Sequence, residues 1–328
     1  MDCFENISKT QNKPKNLENE LTQLKQSLPK ELWFNGTPMY LYQGFWAPKL
    51  DSILAFQNHF QAHDTDVFIT SSRKTGTTWL KSLVYAICNR QNHPPSESPL
   101  LCHNPHELVP QLESTIYTKS EFPDLCKGKC PRLFGTHVPY QALPTSIKVS
   151  KCKIIYIFRN PLDTMISSWK FYQNVSDNKT LKPEMLDLYA DMFCDGKMPF
   201  SPFEDHVSGY WKKSLEIPEK VLFVKYEDLK DGPVTELKRM ADFLQCPFTT
   251  EEEETGLIDD IVNLCSFEKL KQVSEPNKSA KVYSTIQNDG FYRKGVVGDW
   301  VNFMSPSMAE RFNTIMAKKF SGSGFMLP

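Results

Sequence analysis

Short apolar runs and amphipathic stretches alternate along most of this chain, and their order predicts its architecture. Residues 66–70, DVFIT, are β-branched and aromatic in the way a doubly covered strand needs. The polar turn SSRKTG follows, and from Thr77 onward Leu80, Leu83, Val84 and Ile87 recur at the i, i+3, i+4, i+7 spacing of one helix face. RLFGT at 132–136 reads as a second strand, and KIIYIF at 153–158 as a third. The turn signal Arg159-Asn160-Pro161 closes the third strand before a helical stretch over 162–172. A fourth strand is predicted within KVLFVKYEDL at 220–229, ahead of a helix over 235–244 that carries Leu237, Met240, Ala241 and Leu244 on one face. Strands and helices in this alternation pair in parallel and are covered on both sides. The predicted fold class is therefore α/β: three layers, α/β/α, with a central parallel sheet and a P-loop-like loop after its first strand. Ligands of such sheets gather beyond the carboxyl ends of the strands.

Outside this frame, residues 1–20 are polar and without periodicity, which predicts a mobile tail ahead of a single domain over 21–328. Residues 33–46 are rich in aromatics, too irregular for a helix and too apolar for a linker, and are expected to pack as a lid or a wall. Lys plus Arg (38) nearly cancels Asp plus Glu (39), so no global field draws the chain to nucleic acid or to an anionic membrane, although a local basic pocket is still open to a small anion. The N-terminus lacks the apolar run of a signal peptide and no stretch has the length of a spanning helix, so a cytoplasmic, soluble protein is expected. Nine cysteines without clustered pairing read as reduced thiols; Cys126 and Cys130 lack a second pair at zinc-finger distance. His59 and His63, four apart, have the spacing to share a helix face but no metalloprotease glutamate between them.

The chemistry concentrates at the strand ends. Arg73-Lys74-Thr75-Gly76-Thr77-Thr78 offers consecutive backbone N–H groups, hydroxyls and an ammonium where a helix begins, which is an anion site. It is not a Walker A loop, because its Gly follows the Lys rather than preceding it. The third strand ends in Arg159 where a nucleotide hydrolase carries an acidic metal ligand, so cations stand in for the metal. Asp163 falls in the first turn of the next helix, where an acid serves as a cap or dipole complement, and Ser167 lies two turns in.

Five segments in order resemble the cytosolic sulfotransferases of plants, enzymes that use 3′-phosphoadenosine-5′-phosphosulfate (PAPS): SRKTGTTWLK at 72–81, THVPY at 136–140, RNPLDTMISSW at 159–169, YEDL at 226–229 and FYRKGVVGDW at 291–300. The resemblance implies that Lys74, Thr75, Gly76, Thr77, Thr78 and Trp79 cradle the 5′-phosphosulfate, with Trp79 near the adenine. It places Arg159, Ser167, Arg293, Lys294 and Gly295 on the 3′-phosphate, Tyr226 on the nucleotide, and Ser266 and Phe267 on the adenine. It makes His137 the base that takes the acceptor's proton, a role for which an unperturbed imidazole pKa near 6.5 is suited. Lys74 would stabilise the leaving group of an in-line transfer, with PAPS as co-substrate and no metal.

Three departures from the family pattern bear on the site. Ser72 and Arg73 stand where Tyr and Pro are common, which makes the loop less rigid and one charge richer. Gly135 stands where many animal members have a Lys that assists the sulfuryl group, so that assistance is expected to be absent. The dimerisation motif of the animal enzymes has no clear counterpart near the C-terminus, leaving a monomer or weak homodimer. The acceptor is a small hydroxyl compound: flavonoid, steroid, hydroxy fatty acid and desulfo-glucosinolate all stay open, with aromatics of residues 33–46 and Tyr140, Trp169 and Phe171 as candidate pocket walls. A P-loop kinase or hydrolase and a non-catalytic nucleotide-binding protein of the same fold are the competing readings.

Overall fold

The computed structural model describes residues 15–125, 131–175, 181–275, 281–283 and 286–328. Its centre is a four-stranded parallel sheet. β1 (Val67–Ser71) leads through the loop 72–76 into α1 (Thr77–Asn89); β2 (Leu133–Thr136) follows, then β3 (Lys153–Phe158) and α2 (Pro161–Val175). After α3 (Phe203–Glu216) come β4 (Val221–Lys225) and α4 (Pro233–Phe243), and further on α5 (Phe267–Ser274) and α6 (Pro306–Phe320). The strand order is β2-β1-β3-β4, with Thr70 opposite Thr136 and Tyr156, and Phe158 opposite Lys225. The chain leaves β1 toward one edge and returns to its other side with β3, so a topological switch point lies at the carboxyl ends of β1 and β3.

Alternate side chains of each strand enter two separate cores. Phe68, Phe134, Ile154, Tyr156, Phe158 and Phe223 face one, packed by α2, α3 and α6. Ile69, Leu133, Ile155, Ile157 and Val224 face the other, packed by Leu80, Leu83, Val84 and Ile87 of α1 and Leu237, Met240 and Ala241 of α4. Burial on both faces explains why these strands read as continuous apolar runs.

Several elements differ from expectation. The predicted fourth strand stops at Lys225, and Tyr226–Asp231 is a short helix. Lys225 pairs with Phe158, the last residue of β3, so the ladder has no partner beyond it and the backbone bonds to itself instead. Residues 30–47 form three short antiparallel strands, Lys30–Leu32, Pro38–Tyr42 and Phe45–Ala47, which bury Met39, Phe45 and Trp46. A helix over Lys15–Ser27 takes in the last residues of the expected tail; the rest of that tail, like Cys126 and Cys130, lies outside the described residues. The helix Leu50–His59 ends at the first of the two spaced histidines, so His59 and His63 do not share its face. Among the described residues no helix is long and apolar enough to cross a membrane.

Candidate active site

Beyond the carboxyl ends of β1 and β3 opens a cavity of about 700 Å³. It is lined by Lys74, Gly76, Thr77, Thr78, Trp79, His137, Arg159, Ser167, Tyr226, Ser266, Phe267, Arg293, Lys294 and Gly295, which is every candidate residue except Thr75.

The loop between β1 and α1 is shaped by two positive backbone angles, φ 67° at Lys74 and φ 114° at Gly76. Gly76 is needed twice over: a Cβ there would sit 2.8 Å from the Tyr226 ring, in a left-handed region that side chains rarely adopt. Thr75 points away from the cavity, because its hydroxyl donates to the carbonyls of Ser72 (2.9 Å) and Ile157 (3.0 Å). Its side chain ties the loop to β3, which leaves only its backbone N–H to face an anion. Thr77 bonds Ser71 between hydroxyls at 2.6 Å, fixing the first turn of α1. Burial, then the charges of Arg73, Arg159 and Arg293, push the Lys74 ammonium down to about 7. Its Nζ stands 4.1 Å from the centre of the Phe171 ring.

At the end of β3, the Arg159 guanidinium lies 4.4 Å from the centre of the Tyr226 ring, with Nη2 donating to the Val296 carbonyl at 2.6 Å and lying 3.4 Å from Asp163. Asp163 does more than complement a helix dipole. Its two oxygens accept the backbone N–H groups of Gly298 (2.7 Å) and Trp300 (3.1 Å), so one buried carboxylate ties α2 to the segment that carries Arg293, Lys294 and Gly295. Arg293 and Lys294 both bond Asp299, the latter at 2.8 Å. Burial acts to raise the Asp299 carboxyl, but Lys294, Arg293 and Asn302 outweigh it and hold it at about 2. Gly295, with φ 66°, lies flat against Phe267; a Cβ there would come within 2.6 Å of that ring. Trp79 and Tyr226 meet edge to face at 5.3 Å. Ser266 also caps α5, accepting from the Lys269 N–H at 3.3 Å.

His137 follows β2. Its backbone N–H donates to Glu113 Oε1 (2.9 Å), and its ring Nδ1 lies 2.9 Å from the Ser71 carbonyl. A carbonyl only accepts, so Nδ1 carries the proton and Nε2 is left as the acceptor, without a protein partner among the described residues. Burial and then the Arg73 charge hold the imidazole well below its ordinary value, against the opposing effect of the Ser71 bond. The expected titration near 6.5 is replaced by a ring that is neutral throughout the physiological range.

The pattern of residues did not disclose a buried chain beneath this site. Lys81, wholly buried on α1, donates to the Val109 carbonyl (2.8 Å) and the Gln111 amide oxygen (2.9 Å) and meets His106 Nδ1 at 3.1 Å. His106 Nε2 in turn meets the Thr78 hydroxyl at 2.9 Å. Burial, opposed by Glu113, lowers the Lys81 ammonium to about 7. The Lys81 ammonium also fills the space beside Gly135, 2.7 Å from where a Cβ would stand, so a side chain at 135 would meet it. The signal available was the i, i+3 spacing of Thr78 and Lys81 on one helix. Of the aromatics expected in the pocket, Phe171 lines it, whereas Tyr140 and Trp169 lie in the apolar core, the latter edge to face with Tyr189.

Comparison with known proteins gives this cavity its context. The sulfotransferase domain family matches residues 64–324. Cytosolic sulfotransferase 15 of Arabidopsis thaliana is 44% identical over 96% of this chain and 90% of its own length, and Cytosolic sulfotransferase 8 of the same plant is 43% identical over 94% and 93%. A crystal structure of a putative steroid sulphotransferase from Arabidopsis thaliana superposes with a TM-score of 0.74 at 38% identity, covering 95% of this chain and 98% of that one. Mouse sulfotransferase SULT7A1, crystallised with PAP, gives 0.65 at 25% identity, covering 86% and 95%. With the motifs at the strand ends and this match over nearly the whole described chain, the protein belongs to the plant cytosolic sulfotransferase family and is a sulfotransferase enzyme.

Proposed function

We propose that this protein moves the sulfuryl group of PAPS to a hydroxyl of a small acceptor, releasing 3′-phosphoadenosine-5′-phosphate (PAP), and that it does so in the cytosol, where its curated relatives are named as working. The observation that carries the reading is that one cavity holds both a tautomer-fixed His137 and a cationic loop at the start of α1. The residues fit the nucleotide: among the described residues Arg159 Nε is buried with no partner and no carboxylate pairs with Lys74. Trp79, Tyr226 and Phe267 offer aromatic surface to a base, while Arg159, Ser167, Arg293 and Lys294 offer donors to the 3′-phosphate.

His137 Nε2 takes the acceptor's hydroxyl proton as that oxygen bonds sulfur and the bond from sulfur to the 5′-phosphate oxygen breaks. Lys74 and the backbone of Gly76, Thr77 and Thr78 meet the charge that gathers on the leaving oxygen. In this reading no metal takes part, since Lys74, Arg159 and Arg293 supply the positive charge, and a monomer or weak homodimer is sufficient. Sulfated product from radiolabelled PAPS and 2-naphthol is expected, at the same rate with and without EDTA. Loss of rate in EDTA would overturn the metal-free step. PAP binding without turnover of any phenol would favour a non-catalytic nucleotide-binding protein.

A further inference from the structure

The chain has seven arginines, and six have a carboxylate partner. Arg90 pairs with Glu252, Arg132 with Asp66, Arg159 with Asp163, Arg239 with Glu236, Arg293 with Asp299 and Arg311 with Asp191. Arg73 alone has none among the described residues, yet it lines the cavity, with its guanidinium 5.3 Å from the centre of the Tyr172 ring and 6.0 Å from that of Phe171. Lys49, on the approach to the helix Leu50–His59, lines the same cavity, with its Nζ 3.5 Å from the Ser114 carbonyl. The two cations are near enough for Arg73 to add to the burial that lowers the Lys49 ammonium.

Among the described residues one carboxylate, Glu113, acts on this side. It is wholly buried, its Oε1 is taken by the His137 N–H and the Gln111 amide, and it is set against Lys49 and Lys81. Its Oε2 has no hydrogen-bond partner among the described residues, and no ion pair joins it to Arg73. The surrounding wall is Trp33, Phe34, Tyr172 and Phe200, with Phe200 5.7 Å from the His137 ring.

We propose that the part of the cavity in front of His137 is built for an acceptor that carries a carboxylate: Arg73 and Lys49 hold the carboxylate, the aromatic wall takes an apolar body, and the hydroxyl meets His137. This rests on the transferase reading above and names its substrate class, a hydroxylated carboxylic acid. A guanidinium held against aromatic rings is pre-oriented for a carboxylate, and Arg73 has no carboxylate of its own among the described residues to compete for it.

The test is calorimetry on PAP-loaded protein with two probes that differ by the carboxylate charge and one methyl group, 3-(4-hydroxyphenyl)propanoate and its methyl ester. The acid is expected to bind about tenfold or more tighter than the ester, the factor a charge-assisted hydrogen bond commands. Arg73→Gln should bring the ratio close to one, Arg73→Lys should restore part of it, and Lys49→Gln, which lies outside the loop, should lower it independently if the first variant folds poorly. An ester that binds the wild-type protein as well as the acid overturns the proposal, as does a ratio that survives Arg73→Gln. So does a fall in PAP affinity in Arg73→Gln as large as the fall for the acid, which would give the guanidinium to the nucleotide. Because the ratio is read at equilibrium, it decides the subsite whether or not sulfuryl transfer is detected, and the two readings fail separately.

Discussion

The two ends of the cavity are built on different terms. At the end assigned to the nucleotide, the cations come with carboxylates of their own: Arg159 with Asp163, and Arg293 and Lys294 with Asp299. Asp163 also pins the 298–300 backbone, so the guanidinium and the loop that faces it are set as one unit. At the end assigned to the acceptor, the walls come from the turn 33–37 between two strands of the small antiparallel sheet and from residues such as Tyr172 and Phe200, and among the described residues Arg73 stands without a carboxylate. A co-substrate of one shape rewards a site set in advance, whereas the acceptor end has to place a hydroxyl against a base and leaves its free cation for whatever charge the acceptor brings. His137 sits on the border, its ring fixed by Ser71 and its backbone by Glu113.

Removal of the border residue has the largest expected effect. His137→Ala should lower kcat by about 10²–10⁴, the range for a positioned general base, with PAP affinity and melting temperature nearly unchanged. Stopped-assay kinetics and calorimetry on the same preparation check it. A drop in melting temperature with the rate per folded molecule preserved would make His137 a structural histidine and dissolve the border. The same kinetics should show no acid limb near 6.5 in the wild-type protein, since burial and Arg73 keep the imidazole neutral far below that pH.

In the proposed reading Lys74 belongs to the nucleotide end but acts at the reacting bond. Lys74→Ala is expected to cost about 3–4 kcal/mol in kcat, the scale for losing one donor to developing charge, and less in PAP affinity. Equal losses in both would make it a binding cation only.

What was legible beforehand divides along the same line. The strand ends and the anion loop were readable because doubly buried strands leave continuous apolar runs, and because Lys74, Gly76, Thr77 and Thr78 follow one another in the chain. The contacts that organise the site were not, because they join distant segments: Asp163 to Gly298, and Lys81 to His106 and Gln111. The direction of the Thr75 side chain was not legible either, since its hydroxyl is taken by Ile157 on the neighbouring strand. Tyr140 and Trp169 illustrate the limit for aromatics, whose type alone does not separate a cavity wall from a core.

If the nucleotide end is one unit, breaking Asp163 should be felt there and not at the acceptor. Asp163→Asn keeps the shape but gives up the charge facing Arg159 and puts an amide N–H toward one of the two backbone donors. PAP affinity is expected to fall about tenfold, while the Michaelis constant for the naphthol acceptor, measured at saturating PAPS, stays unchanged. A larger change for the acceptor would mean that the two ends share their scaffold.

The smallest effect concerns protons. Burial first, then three neighbouring guanidinium groups, hold the Lys74 ammonium near 7, so at pH 7 to 8 a good part of the free protein carries it neutral. The phosphates of PAP favour the charged form and raise that pKa on binding, so binding takes up protons. The sign follows: affinity is full below about pH 7, where the lysine is already charged, and falls as pH rises through 7, where the bound form must first regain its proton. For a group titrating at about 7, the loss between pH 7 and pH 8 is about fivefold. Calorimetry of PAP binding in buffers of different ionisation enthalpy should show net uptake in the wild-type protein and less in Lys74→Ala, which removes the phosphates' own titration from the difference. Equal uptake in both proteins would mean that Lys74 is already charged before the nucleotide arrives. The nucleotide end would then owe its order to Asp163 and Asp299 without a cation held in reserve.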